Sequence, residues 1–211
     1  MLDAERTLSE EPRLAPGGPR QIGRLNFLIA RALGVAAGGG PPHVFTTLAR
    51  HRRLFRPWLR FAGALMPGGS LPRADSELVI LHVAHNTDCG YEWHQHERLA
   101  RAAGLSADEV TRVAQGHDVT GWSSRQRLLL RATDELHSAR DISSELWDEL
   151  RPRLSDTELI ELCMLVGHYE MLAMTLNALR VQRDELPPVA PRLSRGIQAV
   201  LAKRGTRSRE T

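Results

Sequence analysis

Cys89, Glu92 and His96 form a Cys-x-x-Glu-x-x-x-His run, with Glu77 twelve residues ahead of the thiol. A thiol, a carboxylate and an imidazole supply, in that order, a nucleophile, a base and a proton shuttle. On a helix advancing about 100° per residue, positions i, i+3 and i+7 fall within an arc of about 60°, so the three side chains share one face. Asn86, Thr87 and Asp88 offer N-cap side chains just upstream, which predicts a helix from Cys89 to Ala103 with Gly104 as its stop. Unpaired backbone N–H groups and the positive end of the helix dipole then favour a thiolate at Cys89.

Each of these residues also has a plainer role. Glu77 sits in the second turn of an apolar helix, where it is either the partner of Arg73 one turn earlier or a general base whose pKa is raised by burial. Cys89 can be a small buried apolar residue, and Glu92 with His96 a surface pair four residues apart. His82 and His85 raise the question of a metal, and the ligand types suit zinc. The break before Cys89 moves the upstream histidines off the shared face and no zinc spacing is matched, so no metal is expected; His85, Glu92 and His96 are the nearest approach to a ligand set. Tyr91, Trp93 and His168 are candidate pocket walls, because aromatic rings bury large apolar areas and a buried imidazole needs partners. Cys163, between Leu162 and Met164, reads as inert core or as a resolving thiol.

The elements that must position these groups are helices. Residues 1–20 read as a flexible arm, and Gln21 to Ala36 as a first helix ended by Gly38-Gly39-Gly40-Pro41-Pro42. Val44 to Met66 carries one or two more, interrupted near Pro57. Pro72 opens a helix to His85 whose apolar residues surround the axis, the pattern of a buried helix. Ser106 with Glu109, Ser123 with Gln126 and Ser155 with Glu158 are capping boxes that predict helices over 106–115, 123–138 and 156–180, with another over 143–153. The last of the capping-box helices is apolar on most sides and is expected in the core. An all-helical domain over 21–186 follows, then a Pro-rich linker, a short helix from Arg192 to Lys203 and a disordered tail within 187–211.

Length and composition bound the rest. A chain of 211 residues can bury a core without staples, and two cysteines do not make a disulfide scaffold. No apolar stretch reaches a membrane span of roughly 18 residues. The N-terminus lacks the basic and apolar regions of a signal peptide, so a cytoplasmic location is expected. The net charge of +3 is small, Lys203 is the only lysine and no nucleic-acid motif is present, so nucleic acid is not expected as a partner; without a spanning stretch, neither is a membrane.

The segment Asp75 to Ala103, with Glu77, Cys89, Tyr91-Glu92-Trp93, His96 and the closing Ala102-Ala103-Gly104-Leu105, resembles the carboxymuconolactone decarboxylase and alkylhydroperoxidase D-like superfamily. Trp122 to Leu136 and Val166-Gly167-His168-Tyr169-Glu170-Met171-Leu172 extend the similarity over about residues 45–185. The resemblance implies an all-α, single-domain helical bundle that assembles as a homo-oligomer, a trimer or hexamer, with its site near the cysteine helix. By position Glu77 and His96 match the relay residues of the peroxidase branch and Cys89 its first cysteine. Glu92 stands where that branch has its second cysteine, so an intramolecular disulfide cannot form there. A carboxylate four residues before the histidine is instead a feature of the decarboxylase branch.

Two chemistries on a small-molecule substrate are therefore expected, neither with a cofactor. In one, Cys89 reduces a peroxide, Glu77, Glu92 and His96 manage the protons, and an external thiol reductant restores the enzyme. In the other, Glu92 and His96 carry protons in decarboxylation or isomerisation of a small lactone or oxo acid, and Cys89 only packs. A non-catalytic protein that holds an apolar ligand is the third expectation.

Overall fold

The computed structural model describes residues 11–36 and 39–185, and among these it contains ten helices and no strand. The all-helical class expected above is what the chain adopts. The first ten residues of the arm, and the linker, short helix and tail expected over 187–211, lie outside the described residues.

The described residues divide into two compact units. The smaller comprises residues 14–60 with 181–185. Its helices are α1 (Pro19–Ile22), α2 (Arg24–Ala36), α3 (His43–Leu48) and the first part of α4 (Arg52–Leu65). Ile22, Ala49 and Phe55 form its fully buried centre, with Phe27, Phe45 and Trp58 packed around them. The single helix expected over 21–36 is broken at Gly23, whose φ of 85° is accessible to glycine and closes α1. The break expected near Pro57 falls instead at 49–51, and Pro57 sits inside α4. Pro57 is exposed, so water can satisfy the carbonyl that its missing N–H leaves without a partner.

The larger unit holds residues 11–13 and 61–180. After α4 come α5 (Arg73–Asn86), α6 (Gly90–Ala102), α7 (Ala107–Val113), α8 (Ser124–Ala139), α9 (Ser144–Leu150) and α10 (Asp156–Leu179). α5 is the hub. Every residue from Ser76 to Ala84 is buried, because α6, α7, α8 and α10 pack around it on all sides. The three capping boxes form as expected: the hydroxyls of Ser106, Ser123 and Ser155 accept from the N–H groups of Glu109, Gln126 and Glu158. Each satisfies donors that a helix start leaves orphaned, for roughly 1 kcal/mol of stability.

Polar ties fix the helices against one another. Arg125 on α8 donates to Asp75 on α5 at 2.7 Å and to Glu158 on α10 at 3.1 Å. Asp134 on α8 accepts from His82 at 2.7 Å, Asn86 at 2.9 Å and His117 at 2.7 Å. α10 departs from its expectation in one respect. By length and mean hydropathy it reaches membrane-span values although much of it is buried, and Ile160, Met164, Met171 and Met174 line a face that stays exposed.

Candidate active site

The turn between α5 and α6 sets the thiol. Thr87 and Cys89 donate their backbone N–H groups back to Val83 and Ala84 at 2.9 and 2.8 Å, and Asp88 between them takes a left-handed φ of 49°. Asn177 on α10 donates to the Thr87 carbonyl at 3.0 Å and anchors the turn. Cys89 thereby becomes the N-cap of α6, and the helix runs on to Ala102 with Gly104 at φ 109° beyond it. Glu92 and His96 follow on the same face of the helix.

Glu77 meets this face from α5. Its Oε2 lies 2.7 Å from Nδ1 of His96 and its Oε1 2.6 Å from Nη2 of Arg73. Both roles weighed for Glu77 in the sequence are thus physically present, with one oxygen on the arginine and the other on the imidazole. A carboxylate there accepts from Nδ1–H of His96, which leaves Nε2 as the nitrogen able to take or give a proton. Tyr169 on α10 closes the other side, its ring edge-on to His96 with centroids 5.1 Å apart. Burial, with Glu77 and Glu92 nearby, pushes its phenol up and keeps it neutral.

Cys89 and Glu92 are both buried, and neither carboxyl oxygen of Glu92 makes a well-formed hydrogen bond. Burial pushes Glu92 well above the usual carboxylate range; the Cys89 thiol opposes this and the charge of Glu170 adds to it. Burial pushes the Cys89 thiol up as well, and Glu92 adds to that. The N–H groups of Tyr91 and Glu92 act in the opposite sense, as the helix start predicts, but desolvation outweighs them. Both shifts favour the protonated forms, a thiol over a thiolate at Cys89 and a carboxylic acid over a carboxylate at Glu92.

The remaining candidates are placed as follows. Tyr91 is buried, with Gln95 donating to its hydroxyl at 3.4 Å. Trp93 packs against the core cluster of Leu78, Leu81 and Ala100. His168 is buried between Phe61 and Tyr169 at centroid distances of 5.3 and 5.2 Å, and burial lowers its pKa to about 4. His85 stacks on His82 at 6.3 Å and meets Trp93 edge-on at 6.4 Å, while His96 is committed to Glu77. Among the described residues no group of three His, Cys, Asp or Glu side chains is arranged to hold a metal ion. Cys163 is a free, partly buried thiol on α10 whose pKa burial also raises.

Tyr169 and Glu170 belong to this neighbourhood; Tyr169, with His168 and Asn177, could be read as a pocket wall, whereas Glu170 was absent from the site read in the sequence. The available signal was the polar triplet His168-Tyr169-Glu170 inside an apolar helix. Only the packing of α10 against α5 turns two of the triplet towards the thiol helix.

The sequence profile of the Carboxymuconolactone decarboxylase family matches residues 52–135, which include Glu77, Cys89, Glu92 and His96. No curated protein matches the chain. Several solved structures share the fold at low identity. An alkylhydroperoxidase AhpD core from Ralstonia eutropha JMP134, an uncharacterized peroxidase-related protein, is 19% identical with a TM-score of 0.69, over 79% of this chain and 87% of that one. A peroxidase-related protein from Silicibacter sp. TM1040 is 16% identical with a TM-score of 0.68, over 82% and 90%. The debrominase Bmp8, also solved as a variant with 2,3,4-tribromopyrrole, is 14% identical with a TM-score of 0.68, over 89% and 97%. The segment matched by the carboxymuconolactone decarboxylase family profile thus holds Glu77, Cys89, Glu92 and His96, and the helices around it share the fold of these alkylhydroperoxidase D-like and debrominase structures.

Proposed function

We propose that the protein is a thiol-dependent peroxidase of one-cysteine type. The observation that carries this is the juxtaposition of two proton-handling pairs on one face of α6: Cys89 with Glu92, and His96 with Glu77. Glu92, once it has given up its own proton, takes that of Cys89 as a carboxylate. The sulfur attacks the terminal oxygen of a hydroperoxide, the O–O bond breaks, and the departing alkoxide takes a proton from His96, held in place by Glu77. Sulfur loses two electrons to the O–O bond, leaving Cys89 sulfenic acid and an alcohol. One external thiol displaces water to form a mixed disulfide, and a second releases the disulfide and restores Cys89. No cofactor enters. In this reading the protein works as a trimer or hexamer in the thiol-rich cytoplasm.

The buried pair suits a thiol that is deprotonated only during reaction, since proton transfer between two desolvated neighbours needs no water. The same raised thiol favours a second reading, acid–base catalysis on a small lactone or oxo acid with Glu92 and His96 as proton carriers. Of the similar structures, two are peroxidase-related and one is a debrominase, which makes hydroperoxides the first substrates to try and small halogenated aromatics the next.

The test is peroxide consumption with dithiothreitol as external thiol, together with dimedone trapping of the Cys89 sulfenate followed by mass spectrometry. Cys89→Ser should abolish turnover, and His96→Gln should lower it by about 10²- to 10⁴-fold. Turnover that survives Cys89→Ser but not His96→Gln transfers the assignment to the acid–base reading.

A further inference from the structure

Residues 12–74 contain ten arginines and not one aspartate or glutamate. Carboxylates return at Asp75, so the small net charge of +3 averages this stretch with an acid-rich remainder. Eight of these ten arginines lie in the smaller unit. Its eight arginines between positions 20 and 60 are all exposed, and among the described residues none of them is ion-paired to a carboxylate.

Exposed aliphatic side chains lie beside this charge. On α2, Leu25, Leu28 and Val35 are 56%, 59% and 62% exposed. At about 100° per residue they fall, with Ala32, into one stripe bordered by Arg24 and Arg31. On α4, Arg53, Arg56 and Arg60 form a basic stripe, and Leu54 on another face of the helix is exposed as well. Phe27, Phe45, Phe55 and Trp58, by contrast, are turned into the unit's own core.

We propose that residues 14–60 form a docking surface for an anionic phospholipid membrane, with the arginines over the headgroups and Leu25, Leu28 and Val35 inserted at the acyl boundary. Basic residues flanking a stripe of exposed leucines are what such an interface requires. The lack of carboxylates throughout residues 14–60 points the same way; the unit's described carboxylates are Asp184, which accepts from the backbone N–H of His43, and Glu185, both on the segment 181–185. A specific protein partner constrains only the patch it touches, whereas a uniformly charged surface is repelled by any carboxylate within a Debye length, about 8–10 Å. Nucleic acid is also uniformly anionic, but aliphatic stripes have no role on phosphates, and the aromatic rings that would stack on bases are packed against the unit's own core. The expectation that no membrane is a partner rested on the absence of a spanning stretch, which does not bear on docking at a membrane surface, and the net charge conceals two regions of opposite sign. This inference is independent of the chemistry at Cys89.

The test is co-sedimentation of the full chain with vesicles of phosphatidylcholine alone or mixed with phosphatidylglycerol. Binding should require phosphatidylglycerol and vanish near 1 M salt, where the Debye length is about 3 Å. Arg53→Gln with Arg56→Gln should weaken partitioning about 25-fold, at about fivefold per arginine. Leu25→Ser with Leu28→Ser should weaken it by tenfold or more without changing the salt slope. All four side chains are exposed, so the variants should keep the wild-type melting temperature. Equal binding to uncharged vesicles, or none to either, overturns the proposal. So does binding of duplex or single-stranded DNA, by fluorescence anisotropy, without vesicle binding; so does self-association that Leu25→Ser with Leu28→Ser abolishes while vesicles are ignored.

Discussion

Arg73→Met tests the electrostatic frame of the site through stability alone. Glu77 has no exposed side-chain surface, and its two oxygens are held by Arg73 at 2.6 Å and His96 at 2.7 Å. Removing one partner of a buried pair costs about 3–5 kcal/mol, because a desolvated charge is left uncompensated. The Arg73 side chain is 35% exposed and partly screened by water, which brings the expected cost to about 2–3 kcal/mol. For a chain of this size that is a fall of about 5–10 °C in melting temperature. Glu77→Gln removes the charge and keeps the shape, so in that background Arg73→Met should cost no more than about 0.5 kcal/mol. The coupling from the complete cycle, by urea unfolding followed by circular dichroism at pH 7, should then be about 2 kcal/mol and largely insensitive to salt. An additive cycle, or a single Arg73→Met within about 0.5 kcal/mol of wild type, would refute the claim that Glu77 is a buried carboxylate held between two bases.

Three further outcomes follow from the same physics. Because folding raises the Cys89 pKa, the unfolded chain ionises first as pH rises; stability should fall above about pH 8.5, and Cys89→Ser should flatten that alkaline slope in pH-dependent melts. His168 is lowered to about 4, so the unfolded chain takes up the proton first as pH falls, and the stability lost between about pH 6.5 and 4 should shrink in His168→Phe. Glu161 accepts from the backbone N–H groups of Ser70 and Leu71 at the entry to α5, an approach permitted because Gly69 has no Cβ. Glu161→Ala leaves both donors without their acceptor and should cost about 2–4 kcal/mol in denaturant melts.

Much of the helical layout could be read locally. The boxes at Ser106, Ser123 and Ser155 are complete within four residues, so their side chains and backbone carry the whole instruction. Pro57 misled because a local rule, that proline ends a helix, yielded to an exposed position where water replaces the lost bond. The exposed face of α10 was illegible for the opposite reason. An all-apolar helix looks the same whether its neighbours cover it wholly or on one side.

At the site the division is similar. The spacing of Cys89, Glu92 and His96, with Asp88 ahead of them and Gly104 behind, sufficed to put the three groups on one face of a helix that starts at the thiol. No spacing could say that Glu77 would reach His96, that Tyr169 would close over it, or that Glu92 would lose every drop of solvent. Those facts depend on α5, α6 and α10 meeting in space. The sign of the thiol's pKa shift is the clearest case: a helix start lowers it by a local field, and only the surrounding protein decides how much water is removed, which here is enough to reverse it.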